Sequence, residues 1–156
     1  MMSNQFSYPV KLETDEDGRV VATFPDLPYG ATDGATEMEA LENAKDMLDE
    51  VVAGLINAGE DIPEPSSKKR GQVMVSLSAQ MAAKTALYHA RRAAGMSNVA
   101  LAKAMGCDEK EVRRMMDPHH PTKLPRIEDA LRVLGRRLVV TLAPPDDSPR
   151  TVVRQH

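Results

Sequence analysis

Tryptophan is absent, cysteine occurs once, and aromatic residues make up only 3% of the 156-residue chain. The lone Cys107 has no partner for an internal disulfide, so the sequence fits a reducing compartment and points to the cytoplasm. With so few rings, the cores must be aliphatic, filled out by methionines such as Met38, Met47, Met105, Met115 and Met116. The longest run free of charge, residues 71–83, has 13 residues, and a membrane span needs roughly 20 apolar residues. The stretch from Met1 to Pro9 lacks a basic patch leading into an apolar run, so no secretory signal is expected. Also missing are a Ser-His-Asp arrangement, a nucleophile elbow and a phosphate-binding loop. No enzyme and no cofactor are expected.

Basic residues are scarce in one half only. Residues 1–65 hold three of them, Lys11, Arg19 and Lys45, against fifteen acidic ones, a net of −12. Residues 66–156 hold seventeen basic against eight acidic, a net of +9, so the overall −3 conceals two opposite halves. Such asymmetry implies different partners. The basic half suits phosphates, and the acidic half suits a cationic protein.

The hydrophobic pattern divides the chain in the same way. Phe6, Tyr8, Val10 and Leu12 alternate with Ser7, Pro9, Lys11 and Glu13, which predicts a strand with one buried face. Pro9 places that strand at a sheet edge. Asp15-Glu16-Asp17-Gly18 is a turn, and Val20, Ala22 and Phe24 continue the alternation on a second strand. A short third strand runs through Tyr29 to Thr32. Thr36 and Glu39 then form a capping box for a helix whose apolar face is Leu41, Ala44, Leu48, Val51, Val52 and Leu55, ending at Gly59. Residues 60–71 read as a connector, and Val73, Val75 and Leu77 as a fourth strand returning to the sheet. From Ala79 the chain reads helical over 79–94, 98–105, 109–116 and 125–134. Leu138, Val139 and Val140, within Arg137 to Leu142, form a late strand-like run, and the proline-containing tail from Ala143 is expected to be disordered. The expected domains are thus 1–77, 78–142 and a flexible tail 143–156, in an α+β chain whose second domain is all-α with a short C-terminal strand.

One stretch has a mechanism attached. Asn98 to Asp117 fits a helix-turn-helix: Leu101 and Ala102 offer an apolar contact and a small residue where helices cross, and Gly106 allows a tight turn. Val112 and Met115 face back onto Leu101 and Met105. Asp108 is placed to cap the second helix, with Glu111 completing the capping box. In such units the N-terminal half of the second helix reaches base edges in the major groove. Lys110, Arg113 and Arg114 point outward there, and either arginine is suited to bidentate reading of guanine. Asn98, Lys103 and Lys123 suit phosphates, which position the protein without reading sequence. Glu109 and Glu111 oppose phosphate; Glu111 has a capping role, and Glu109 has none.

Two clusters look chemical and are read as structural. Asp15, Asp17, Asp26 and Asp33 mostly sit in turn contexts beside Gly or Pro, where Asp serves the backbone. Cys107 with His119 and His120 falls short of the four paired ligands of a zinc site. No metal is expected.

Laid out in order, these parts resemble the HicB family of antitoxins. The resemblance runs through Tyr8-Pro9-Val10, Phe24-Pro25-Asp26-Leu27-Pro28, Gly30-Ala31-Thr32-Asp33-Gly34, Ala40-Leu41-Glu42-Asn43-Ala44 and Ile62-Pro63-Glu64-Pro65-Ser66. It continues through Leu87-Tyr88, the helix pair, Asp117-Pro118-His119-His120-Pro121-Thr122-Lys123-Leu124 and Leu134-Gly135-Arg136-Arg137-Leu138. The resemblance implies a β-β-β-α-β first domain like a degenerate ribonuclease H fold, and a Cro-like second domain that dimerises. It also implies a HicA-type RNA-cleaving toxin as partner, its active site masked, and repression of the operon through operator DNA by a homodimer or higher oligomer. Glu109 and Glu111 depart from a uniformly basic reading helix.

Two other readings stay open on the sequence. One is a one-component repressor whose first domain senses a small molecule in an apolar pocket. The other is a nuclease on the sheet, which would need acidic residues converging on a metal, and the first two strands carry only Glu13 between them.

Overall fold

An antiparallel sheet in the order β3-β2-β1-β4 opens the chain in the computed structural model, which describes residues 5–146. Its strands are β1 (Ser7–Thr14), β2 (Val20–Thr23), β3 (Ala31–Gly34) and β4 (Gln72–Ser76), with helix α1 (Glu37–Ala58) crossing between β3 and β4. This is the β-β-β-α-β order that the alternation predicts. The β1–β2 turn is closed by the Asp15 carboxylate, which accepts the backbone N–H groups of Asp17 and Arg19 at 2.9 Å each, while Gly18 takes φ +80°.

Pro9 is not at an edge. β1 is an inner strand, paired with β4 over Ser7–Lys11 and with β2 over Lys11–Thr14. The stagger explains the proline. Leu77 donates its N–H to the Phe6 carbonyl, so ladder alternation points the Tyr8 and Val10 amides at β4 and position 9 the other way. There β2 has already ended at Thr23, and no ladder bond is lost to the missing N–H. The single buried face also needs correcting, because Ser7, Tyr8, Pro9 and Val10 are all buried; alternation in burial holds from Val20 through Ala22 to Phe24.

α1 covers the sheet with Ala40, Leu41, Ala44, Leu48, Val51 and Val52, all buried, and the leucines and valines among them each contribute roughly 1.5–3 kcal/mol when fully buried. Thr36 accepts the Glu39 amide at 3.1 Å, and the Glu39 carboxylate reaches back to the Ala35 amide at 2.6 Å, one residue beyond the expected capping box. The last residue of β3, Gly34, has no room for a side chain, because a Cβ there would lie 2.5 Å from the Ala40 backbone nitrogen. The connector has no regular secondary structure yet is held in place. Tyr8 donates its hydroxyl to the Pro63 carbonyl at 2.5 Å, and Asp26 accepts from both the amide and hydroxyl of Ser66. Burial, with Asp26 and Glu64 nearby, pushes the Tyr8 phenol up to about 12.

The chain divides into two compact units. The first takes residues up to Val52, Asp61–Leu77 and Pro144 onward; the second takes Ala53–Glu60 and Ser78–Ala143. The second unit contains α2 (Ala79–Ala94), α3 (Asn98–Met105), α4 (Glu109–Met116) and α5 (Leu124–Val133). Their shared core is Ala83, Leu87, Ala90, Leu101, Ala102, Val112, Met115, Ile127, Ala130 and Leu131. Tyr88 closes the junction of α1 and α2 by donating to the Glu60 carbonyl at 2.6 Å, with the Arg92 guanidinium 5.1 Å above its ring.

The expected C-terminal strand does not form. Residues 136–142 have no regular secondary structure, and Val139, Val140 and Leu142 are exposed. A strand exists only as part of a ladder, and β-branched sequence without a neighbouring strand leaves the backbone to solvent. In the first unit Asp146 is anchored, accepting from the Ser76 amide at 3.0 Å and the Ser76 hydroxyl at 2.6 Å. The rest of the expected tail, residues 147–156, lies outside the described residues.

Candidate nucleic-acid interface

The pair α3–α4 is set by local sequence. Ser97 caps α3 by accepting the Ala100 amide at 3.0 Å, and Asp108 caps α4 by accepting the Glu111 amide at 3.0 Å. Between them Gly106 takes φ +74°, with its N–H on the carbonyls of Ala102 and Lys103. A Cβ there would meet nothing within 4 Å, so it is the backbone angle, not space, that calls for glycine. Leu101, Ala102, Val112 and Met115 are buried where the helices cross, as expected from their spacing.

This packing fixes which side chains face outward. Lys103, Lys110, Arg113 and Arg114 are exposed, and so is Lys123 at the N-cap of α5. Among the described residues none of the five forms an ion pair. Asn98 differs from the rest: it is half-buried, and its Oδ1 is shut away from solvent without a hydrogen-bond partner. Arg114 and Lys123 come together on one open cleft of about 270 Å³, with Glu111, His120, Thr122 and Arg126 also lining it.

Two residues that shape this surface were not picked out from the sequence. Lys84, on α2, is only 2% exposed, and its ammonium donates to the Met115 carbonyl at 2.7 Å, the Arg114 carbonyl at 3.3 Å and the Thr122 hydroxyl at 2.7 Å. It therefore caps the C-terminal end of α4, where the helix dipole is negative, and ties the following loop to it. Burial lowers its pKa to about 8, against a smaller upward pull from Asp117. The signal was a lone lysine on the α2 face that also buries Met81, Leu87 and Tyr88.

Arg126, in α5, is the second. Its Nε and Nη2 lie 2.7 and 2.6 Å from Glu111 Oε2, and its Nη1 lies 2.9 Å from Asp129. Hydrogen bonds from Arg126 and then Arg132 hold the Asp129 carboxyl below its ordinary value. Glu111 thus does not complete a capping box with Asp108; the guanidinium across the cleft is the stronger partner for its carboxylate.

The first unit presents the opposite charge. Glu37, Glu39, Glu42, Asp46 and Glu50 are exposed along α1. All three basic residues of the first 65 stand near carboxylates: Lys11 lies 3.3 Å from Glu13, Arg19 lies 2.8 Å from Asp33, and Lys45 lies 4.0 Å from Asp146. Over these 65 residues few cations interrupt the field, and Lys68, Lys69 and Arg70 follow on the connector. The aspartates that resemble a metal set serve the backbone or an ion pair instead: Asp15 closes the turn, Asp26 holds Ser66, and Asp33 holds Arg19. Among the described residues no three His, Cys, Asp or Glu side chains converge as ligands. No helix among them is long and apolar enough to cross a membrane.

The family profile described as "HicB_like antitoxin of bacterial toxin-antitoxin system" matches residues 7–86. The chain is 38% identical over 137 residues to Antitoxin HicB 2 of Photorhabdus laumondii subsp. laumondii, covering 88% of this chain and 96% of that protein. It is 33% identical to Antitoxin HicB 1 of the same organism, covering 86% of each chain. With Antitoxin HicB of Escherichia coli K12 it shares 30% identity over 86% of this chain and 98% of the relative.

Proposed function

This chain belongs to the HicB-like antitoxins of bacterial toxin–antitoxin systems, and from that premise we propose that its two units divide the work of one antitoxin. The acidic unit, residues 1–77, binds a HicA-type RNA-cleaving toxin in the cytoplasm and masks its active site. The helical unit, residues 78–142, docks α4 in the major groove of operator DNA as the second helix of a helix-turn-helix and represses the operon. Lys110, Arg113 and Arg114 approach bases there, and Lys103, Lys123 and Asn98 approach phosphates. The protein acts by binding, not by catalysis.

The observation that carries this reading is the distribution of charge. Carboxylates dominate the exposed face of α1, and the three cations of the first 65 residues each stand near a carboxylate. Lys103, Lys110, Arg113, Arg114 and Lys123 form no ion pair with a described carboxylate. A field of one sign draws in a partner of the other sign, so the first unit suits a basic toxin and the second suits DNA. One helix pair reads only a few base pairs, so two copies are required, docked about 34 Å apart on a two-fold operator.

A paired assay tests both halves. Expressed alone, the gene beside this one should arrest growth, and co-expression of this chain should restore it. A reporter driven by the operon's own promoter should fall silent when the chain is supplied. Arrest that persists beside abundant chain overturns the toxin half, and an unrepressed reporter overturns the DNA half.

A further inference from the structure

Glu109, half-buried in the first turn of α4, is the one side chain on the outer arc of that helix whose charge runs against DNA. At about 100° per residue, Glu109, Arg113, Lys110 and Arg114 occupy a contiguous arc of about 140°, opposite Val112 and Met115. Val112 and Met115 are buried at 0% and 2%, so the arc faces away from the core. The other acid of this helix, Glu111, is held by Arg126 at 2.6 Å and turned toward the cleft. Glu109 has no such partner among the described residues. Arg113 stands at i+4, where an ion pair along the helix is within reach, yet none is formed. An anion left unpaired beside three cations, on the helix end that enters the groove, weakens contact with every phosphate near it. Its place in the first turn of α4 lets the helix dipole offset part of that cost; a contact that gains from a negative acceptor would offset it on DNA.

The major groove offers one. Cytosine presents its N4 amino group as a donor there, and a carboxylate is the matching acceptor; guanine on the opposite strand presents N7 and O6 to an arginine. Two side chains one helical turn apart therefore match the two bases of a single pair. Resting on the DNA-binding reading above, we propose that Glu109 is a specificity-determining residue that accepts a hydrogen bond from a cytosine amino group, with Arg113 reading the paired guanine. The acid lowers affinity for DNA in general and raises discrimination at one base pair.

The test is selection of binding sites from a random duplex pool by the full chain and by Glu109→Gln and Glu109→Ala, with affinities at fixed salt. Wild-type protein should select a site with a required C·G pair. Glu109→Gln, nearly the same shape but able to donate as well as accept, should move the preference at that one position toward adenine. Glu109→Ala should lose about tenfold in discrimination there while binding random DNA as tightly as wild type or more so. Unchanged preferences at every position in both variants, with affinity shifted uniformly, would overturn the proposal and leave Glu109 as a residue serving the helix terminus. A wild-type chain that selects no sequence overturns the DNA-binding reading itself, a different failure. Matching thermal melts keep a folding defect from imitating either result.

Discussion

Arg126 and Glu111 sit fifteen residues apart in sequence, and two guanidinium nitrogens of the first lie within 2.7 Å of one carboxylate oxygen of the second. This pairing turns an acid on α4 from an obstacle to phosphate into part of the scaffold. Replacing Arg126 with Ala should therefore weaken binding to all DNA sequences alike, because Glu111 is left uncompensated. The double variant Arg126→Ala, Glu111→Gln should recover most of the loss. Both groups are about one-third exposed, so the stability cost should stay near 1 kcal/mol. Titrations of operator and random DNA check the pattern; a double variant no better than the single one contradicts it.

Base reading and phosphate contact should separate by residue. Arg113→Ala or Arg114→Ala should cost about 1–3 kcal/mol on the operator and relax one position each. Lys123→Ala should weaken every sequence about equally and reduce the slope of log affinity against log salt by about 1. Two arginine variants that bind the operator like wild type would remove α4 from the groove.

Lys84 governs how firmly the end of α4 is held. Lys84→Met leaves the Arg114 and Met115 carbonyls without their donor, at a cost of about 1–3 kcal/mol in stability. The pH dependence has a definite sign. The folded-state pKa of about 8 lies below the ordinary 10.5, so between those values the unfolded chain binds more protons and stability rises with pH. Chemical denaturation across that window should show the gap between wild type and Lys84→Met widening. A narrowing gap would mean that the ammonium form is favoured by its three acceptors more than burial opposes it.

The exposed run at Val139 and Val140 should be an interface between two copies. The whole chain is expected to sediment as a dimer at micromolar concentration. Val140→Glu should shift it toward monomer and weaken operator binding, since each half-site alone is held loosely. A wild-type chain that stays monomeric would show the run to be surface only.

Features that depend on local sequence were legible in advance. The α1 face, the cap at Asp108 and the Gly106 turn all follow from residues within one or two helical turns of each other, and the cap at Ser97, equally local, was missed. Features that depend on distant partners were not. Lys84 meets Met115 across 31 residues, and no periodicity marks that meeting. Pro9 could be placed only once the stagger of β1 against β2 was known. The run at 138–140 shows the converse limit: its composition favours a strand, yet strand formation belongs to the pair and not to the segment. The sequence set Glu111 apart from Glu109 by a capping role, yet the Glu111 carboxylate meets Arg126 instead, fifteen residues away.

The central claim is that the acidic unit captures a cationic, RNA-cleaving partner. Its most direct test is RNA cleavage by the purified product of the neighbouring gene, titrated with the full chain at low and at high salt. The account predicts cleavage abolished near equimolar chain at low salt, with the complex loosening as salt screens the α1 carboxylates. Cleavage that continues undiminished at both salt concentrations, with no complex recovered at either, would contradict it.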